Sequence, residues 1–426
     1  MNCRALARCA QFLLLCTLPI AGGAAAAPAG GLPAAATDDA GLSAGSLAQI
    51  DELLGSAVQS GQVAGVVAGV ARHGKLVYLE SFGWQDIEQQ QAMAIDSIFQ
   101  IRSMSKPITA VAALQLIEQG RMKLDDPVSR YIPRFAFQFV YVDPDEPFLS
   151  AERKPVRPMT IEDLLLNTAG LSHRNSVLYQ QRRVRDRGDS LEQLSNKVAG
   201  VPLIGDPGAQ WVYSESITIL GRVVEIVSGQ ALDDYLQEHV YAPLQMDDTA
   251  FFVPPDKLDR LTRVYRRGDD GAGLSLEPEM DIPITRDPPL LEGSAGIVST
   301  VPDYLRFLQA LLNQGELDGA KILQPGTVTE MTRNHIPDAL LPIGTNPETP
   351  MLDRGWGYGL AVVIDSSRSE FGVNNGEFGW NGSLGTYSWA DPQTGTVAVL
   401  MLQIQPASAG GLPARFKDLV YHGISD

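Results

Sequence analysis

The sequence predicts an α+β fold in which an antiparallel sheet, built from both chain ends and flanked by helices, carries an inserted, mainly helical domain. Strand-like runs of small apolar and β-branched residues occupy 63–71 and 76–82 near one end, and 358–364, 385–390 and 396–403 near the other. From about 125 to 325 the apolar residues recur instead at helical spacing, separated by polar loops. Strands at the two ends with helices between them imply one sheet closed by both termini.

The first 26 residues read as an export signal. Arg4 and Arg8 precede an apolar stretch over 12–20, and Ala24, Ala25 and Ala26 supply a small-residue cleavage site. That stretch is too short to span a membrane and contains Pro19. The mature protein is therefore expected to begin near Ala27, to be periplasmic or secreted, and to keep no integral membrane segment. Cys16 invites a lipid anchor, but Leu15 stands where a small residue would be needed. Cys3, Cys9 and Cys16, the chain's only cysteines, all fall inside the signal. A mature chain without them can form no disulfide, thiolate metal site or cysteine nucleophile. The net charge of −17, deepened by loss of Arg4 and Arg8, argues against nucleic acid or an anionic membrane surface as partner.

Residues 27–45, rich in Ala, Gly and Pro, are expected to form a disordered leader ahead of one domain over 46–426. Its α/β part should comprise 46–124 and 326–426, with the helical insertion over 125–325. Leu47, Ile50, Leu54, Ala57 and Val58 predict an amphipathic helix over 46–61. A hairpin should follow, turning at Arg72-His73-Gly74-Lys75. Over 107–118 apolar residues surround the helix on nearly every side, so this helix should be central. Further helices are expected at 161–166, 217–227, 303–313 and 412–423, the last after strands joined by a turn at 391–395.

The start of the central helix carries the chemistry. In the run FQIRSMSKPIT, Ser103 and Lys106 stand at i and i+3, which puts a hydroxyl and an amine on one helical face. A serine alcohol is a weak nucleophile until a base takes its proton, and burial can lower a lysine pKa enough for that task. The backbone N–H groups of a helix start can also face a developing oxyanion. Ser105 competes as nucleophile but faces another way. A bare Ser-x-x-Lys also fits a capped helix with a surface lysine; the apolar surroundings of Lys106 favour the catalytic reading.

With the segments that follow, the pattern becomes specific. SMSKPITAVAALQLIEQGRMKLDDPVSRYIPRF, TIEDLLLNTAGL, GSAGIVST and FGWNGSLGTYSWADPQTG appear in that order across the mature chain. They resemble the serine β-lactamase superfamily, in particular class C β-lactamases and family VIII carboxylesterases. The resemblance implies the β-lactamase and penicillin-binding-protein fold, an acyl-enzyme on Ser103 and Lys106 as general base. It also makes Tyr213, within PGAQWVYSES, a proton relay; without it Tyr213 would be a packing aromatic beside Trp211. Glu215 stands where the family often has Asn, and could pair with Lys106, position a deacylating water or face solvent.

The family's third motif, Lys-Thr-Gly in β-lactamases, matches Trp380-Asn381-Gly382 here. The resemblance makes all three substrate-contacting residues, with the backbone N–H groups of Ser103 and Ser383 forming the oxyanion hole. Trp380 in place of lysine points to a less acidic, more apolar acyl group, unless the indole is simply an aromatic on an edge strand. The implied function is hydrolysis of a small carboxylic ester without metal or cofactor. A D-amino-acid peptidase, a β-lactamase, an acyltransferase, or a sensor that is acylated without turnover are the alternatives. Five histidines, His73, His173, His239, His335 and His422, show no zinc-binding spacing, and the GxSxG elbow is absent. The Arg-rich stretch over 181–187 reads as a solvated helix face or as a preference for anionic substrates. Oligomeric state is not legible.

Overall fold

The computed structural model describes residues 31–35, 41–148, 150–268, 273–280, 284–285, 287–345, 348–369 and 372–424. The expected export signal lies outside these residues. Among the described residues no helix is long and apolar enough to cross a membrane.

Strands β1 (Gly65–Arg72), β2 (Lys75–Asp86) and β3 (Gln91–Ala92) come from the amino-terminal part. From the carboxyl-terminal part come β4 (Arg354–Trp356), β5 (Ala361–Val363), β6 (Phe378–Gly379), β7 (Thr386–Asp391) and β8 (Thr396–Met401). They form one antiparallel sheet in the order β4-β5-β6-β7-β8-β1-β2-β3. The two chain ends meet where β1 pairs with β8, Ala68 opposite Leu400 and Val70 opposite Ala398. The β1–β2 turn is closed by His73 and Gly74, both at positive φ (51° and 78°), a two-residue geometry that suits the twist of a hairpin.

Alternation along the strands divides the core. Val67, Ala71, Val397, Val399 and Met401 join one apolar cluster, while Val66, Ala68, Val70, Ala398 and Leu400 join another. Because both faces are covered, these strands read in sequence as unbroken apolar runs.

The principal helices are α1 (Ala44–Gln59), α2 (Ser105–Glu118), α3 (Ile161–Leu166), α4 (Ser216–Ser228), α5 (Val301–Leu312) and α6 (Leu412–Gly423). Helices α1 and α6 pack on each other and cover one face of the sheet. Phe416 of α6 meets the Trp389 indole edge-on, with ring centroids 5.7 Å apart. On the other face α5 presses against β1 so closely that a Cβ on Gly69 would overlap Leu305 and Val301. Helix α2 lies deepest, with every residue over 105–116 buried, and packs against α4.

Three expectations need correction. Helix α1 starts at Ala44 rather than 46, because the Ser43 hydroxyl accepts from the Ser46 N–H as N-cap. The leader expected to be disordered over 27–45 is ordered at 31–35 and from 41 onward. Leu32 and Leu42 are buried, Ala35 N–H donates to the Leu76 carbonyl at 3.0 Å, and Leu42 bridges to Ile424. Apolar cover for two leucines outweighs the flexible composition around them. Finally, α5 already packs on the sheet, so the sheet-side part resumes near 301 instead of 326.

Removing the Phe416 ring should leave a cavity between α6 and the sheet. Phe416→Ala is expected to cost about 3–5 kcal/mol of unfolding free energy in urea titration; an unchanged midpoint would contradict this packing.

Candidate active site

A short ladder fixes the segment that carries Ser103. Phe99–Gln100 pairs with Val298–Ser299, and Ile101 N–H donates to the Ile297 carbonyl at 3.1 Å. The chain then makes a 3₁₀ turn over Arg102–Met104 before α2 begins at Ser105. The expected helix start at 107 is therefore two residues late, and Ser103 sits on the 3₁₀ turn ahead of α2. Side chains at i and i+3 eclipse in such a turn, so Ser103 and Lys106 still share a face. The neighbouring strand clamps this turn from the other side: Thr386 Oγ1 donates to the Ile101 carbonyl at 3.2 Å. Tyr304 on α5 donates to the Met104 carbonyl at 2.9 Å. Ser105 is turned away and occupied, its hydroxyl donating to the Arg102 carbonyl and accepting from Ile297 N–H.

Lys106 Nζ lies 3.3 Å from Ser103 Oγ and 2.9 Å from the Ser294 carbonyl. The side chain is 1 % exposed. Burial lowers the ammonium pKa from the ordinary lysine value; Tyr213 pulls it partly back and nearby Arg174 pushes it further down. A lowered pKa shifts the balance toward the neutral amine, whose lone pair can accept a proton.

Tyr213 reaches the same point from the helical insertion, on the loop before α4. Helix α3 holds that loop. A capping box between Thr160 and Asp163 starts α3, and Asn167 ends it in the left-handed conformation (φ 57°). From there the Asn167 carbonyl accepts from Val212 N–H at 2.9 Å, and its side-chain oxygen from Ser214 N–H at 3.3 Å. The segment TIEDLLLNTAGL thus acts at a distance by shaping the loop of Tyr213. Lys106 Nζ stands 4.5 Å from the centroid of the Tyr213 ring.

Trp380 does more than wall the cleft. Its indole N–H donates to the Tyr213 hydroxyl oxygen at 2.9 Å, and Trp356 meets its ring edge-on at 4.7 Å. His173 stacks on Tyr213 at 6.0 Å, and its Nδ1 accepts from Asn175 N–H at 3.1 Å. Burial lowers the His173 pKa, aided by Arg174. This histidine is a wall of the cleft with its ring nitrogen engaged in the loop.

The Gly382 N–H donates to the Thr386 carbonyl at 2.7 Å. A Cβ at Gly382 would overlap Thr386 Oγ1 and the Ile101 carbonyl, so glycine is what lets this strand lie against the Ser103 turn. Asn381 lines the cleft while its Oδ1 accepts from Ser388 N–H at 3.3 Å. Ser383 is exposed on the same cleft wall. Ser103, Lys106, Tyr213, Trp380, Asn381, Gly382 and Ser383 are thus brought to one cleft of about 690 Å³.

Two of the three readings open for Glu215 in the sequence do not match its setting. It is 2 % exposed, which removes the solvent-facing reading, and its ion-pair partner is Arg174, at 3.1 Å, rather than Lys106. Arg174 also pairs with Glu292 at 3.0 Å, and Glu292 receives two further bonds from Arg185 at 2.7 and 2.8 Å. Burial would raise the Glu292 carboxyl, but Arg174 and Arg185 hold it below the usual carboxylate range. Burial would likewise lower Arg174, yet Glu215 and Glu292 keep it charged. Arg174 donates to Ser294 Oγ, as does Thr218, and the Ser294 carbonyl receives Lys106. The buried ion network therefore anchors the acceptor that aims Lys106. Sequence reasoning missed Arg174, Glu292 and Ser294. The only signals were the polar residues within GSAGIVST and an arginine directly after His173.

The model of the family described as Beta-lactamase matches residues 50–421. Esterase EstB of Burkholderia gladioli is 29 % identical, the match covering 89 % of this chain and 96 % of EstB. Monacolin J acid methylbutanoyltransferase of Aspergillus terreus is 27 % identical, with coverage of 86 % and 93 %. The structure described as EstCE1, a hydrolase with promiscuous acyltransferase activity, superimposes with a TM-score of 0.75 at 28 % identity, covering 88 % of this chain and 99 % of that one. The chain belongs to the beta-lactamase family of serine hydrolases.

Proposed function

We propose that the protein hydrolyses small carboxylic esters through an acyl-enzyme on Ser103. The observation that carries this reading is the fully buried Lys106 amine, its pKa lowered, 3.3 Å from the Ser103 hydroxyl. Lys106 takes the proton as Ser103 Oγ attacks the ester carbonyl, and the oxyanion lies toward the N–H groups of Ser103 and Ser383. As the intermediate collapses the ester C–O bond breaks, and Tyr213 delivers a proton to the departing alcohol while taking the one that Lys106 holds. Water then attacks the acyl carbon as its proton passes to Lys106, which returns that proton to Ser103 Oγ when the acyl C–Oγ bond breaks and the acid leaves. Within this scheme the bond from Trp380 fixes the Tyr213 hydroxyl, while Gly382 lets the substrate lie along the strand. The ester preference is supported by Trp380 in place of the lysine of β-lactamases and by similarity to an esterase across nearly the whole chain.

A second reading, transfer of the acyl group to an alcohol instead of water, is favoured by the similarity to a methylbutanoyltransferase and to a hydrolase described as a promiscuous acyltransferase. Both reactions share the Ser103 acyl-enzyme and differ in the second nucleophile.

Ser103→Ala is expected to abolish turnover of short p-nitrophenyl esters and labelling by a fluorophosphonate. Undiminished labelling of the variant would overturn the assignment of the nucleophile. Product analysis in water containing a competing primary alcohol separates the two acceptors. Free acid as the dominant product supports hydrolysis, whereas mainly the new ester at modest alcohol concentration would make the protein a transferase.

A further inference from the structure

Although the chain carries a net charge of −17, the cleft is lined by four arginines, Arg102, Arg174, Arg185 and Arg187, and by no carboxylate among the described residues. Arg174 and Arg185 are neutralised from behind by Glu215 and Glu292. Arg102 is not. Its Nε and Nη2 are shielded from solvent and have no hydrogen-bonding partner among the described residues. It directly precedes Ser103 and adopts a positive φ of 48°, a conformation disfavoured for a residue with a long side chain. Two guanidinium N–H groups taken out of water without acceptors are costly unless something else supplies them. Burial pushes Arg102 down to about 10, against the pull of Glu292.

Arg102, Arg185 and Arg187 also border a second cavity of about 280 Å³ that adjoins the cleft, walled mainly by Phe251, Pro288, Pro289, Leu290 and Ile297. Asp287 and Glu292 are its carboxylates. The arginines therefore stand where a reactive cleft meets an apolar chamber. The stretch over 181–187, open in sequence to two readings, contributes Arg185 and Arg187 to this junction.

We infer that the preferred ester carries an anionic group, such as a carboxylate, held at the junction by Arg102 with Arg187 beside it, and an apolar portion that enters the side chamber. The inference rests on the proposed ester chemistry at Ser103 and adds the substrate class. It also revises the expectation of a less acidic substrate. The cation missing at Trp380 is absent from that position only, and positive charge returns elsewhere in the cleft lining, at the residue before Ser103. Planar guanidinium groups suit a carboxylate because two parallel N–H bonds can form.

The test compares matched pairs of esters in kcat/KM. Mono-p-nitrophenyl adipate against p-nitrophenyl hexanoate puts the charge on the acyl side, and p-acetoxybenzoate against p-acetoxybenzamide puts it on the alcohol side. At least one charged ester should exceed its neutral match about tenfold, chiefly through KM, the scale of one charge-assisted hydrogen bond. That ratio should shrink at high salt and collapse toward one in Arg102→Gln, with Arg102→Lys retaining part of it. Arg187→Gln, a change at an exposed side chain, should lower the same ratio and covers the case in which the Arg102 variant does not fold. Turnover of neutral and charged esters at equal efficiency would overturn this inference while leaving the hydrolase reading intact. No turnover of any ester, with no fluorophosphonate labelling of Ser103, would overturn that reading and this one with it.

Discussion

The arrangement depends on one constraint, an amine held inside an apolar helix start. Lys106 is almost completely buried on a helix whose other buried residues are, apart from Gln115, small or apolar. Taking an ammonium out of water costs several kcal/mol, and the group can escape that cost by losing its proton. The same burial that packs α2 against the sheet and α4 therefore supplies the property a base needs. What prevents the amine from turning elsewhere is a small set of acceptors, the Ser103 hydroxyl and the Ser294 carbonyl, within 3.3 and 2.9 Å.

Those acceptors are held by parts of the chain far apart in sequence. The sheet's junction of both termini brings Thr386 to the Ser103 turn, and α5 brings Tyr304. From the insertion come Arg174 and Thr218, which fasten Ser294, and Asn167, which shapes the Tyr213 loop. Trp380 then links the two halves directly through its bond to Tyr213. In the proposed mechanism the sheet and the insertion each contribute groups that act together, and the proton path crosses the seam between them.

Much of the fold was legible because local pattern and tertiary burial agree. The runs that became β1 and β8 are apolar on both faces, and the span 412–423 has the bounds expected for α6. Ser103 and Lys106 were legible because a lysine in a largely apolar helix conflicts with its surroundings. The ion network was not. Arg174 and Glu292 lie over a hundred residues apart, and nothing in either neighbourhood marks a long-range pair. Glu215 was visible as a departure from the family pattern, but its partner was hidden for the same reason. The order at 31–35 was missed because Leu32 is a single apolar residue in a flexible composition, and its burial depends on a pairing with β2 that carries no local signature. Which arginines of the Arg-rich stretch border the cleft was not legible either, because it depends on the path of the chain, which brings Arg185 and Arg187 there.

The central claim is that burial keeps the Lys106 amine ready to accept the Ser103 proton at moderate pH. The pH dependence of fluorophosphonate inactivation tests it most directly, because that reaction needs only the nucleophile and its base. The account predicts a second-order rate constant that rises with pH through a midpoint well below the ordinary lysine range and then levels, a titration that Lys106→Met should remove. A midpoint in the ordinary lysine range, or the same profile in Lys106→Met, would contradict it.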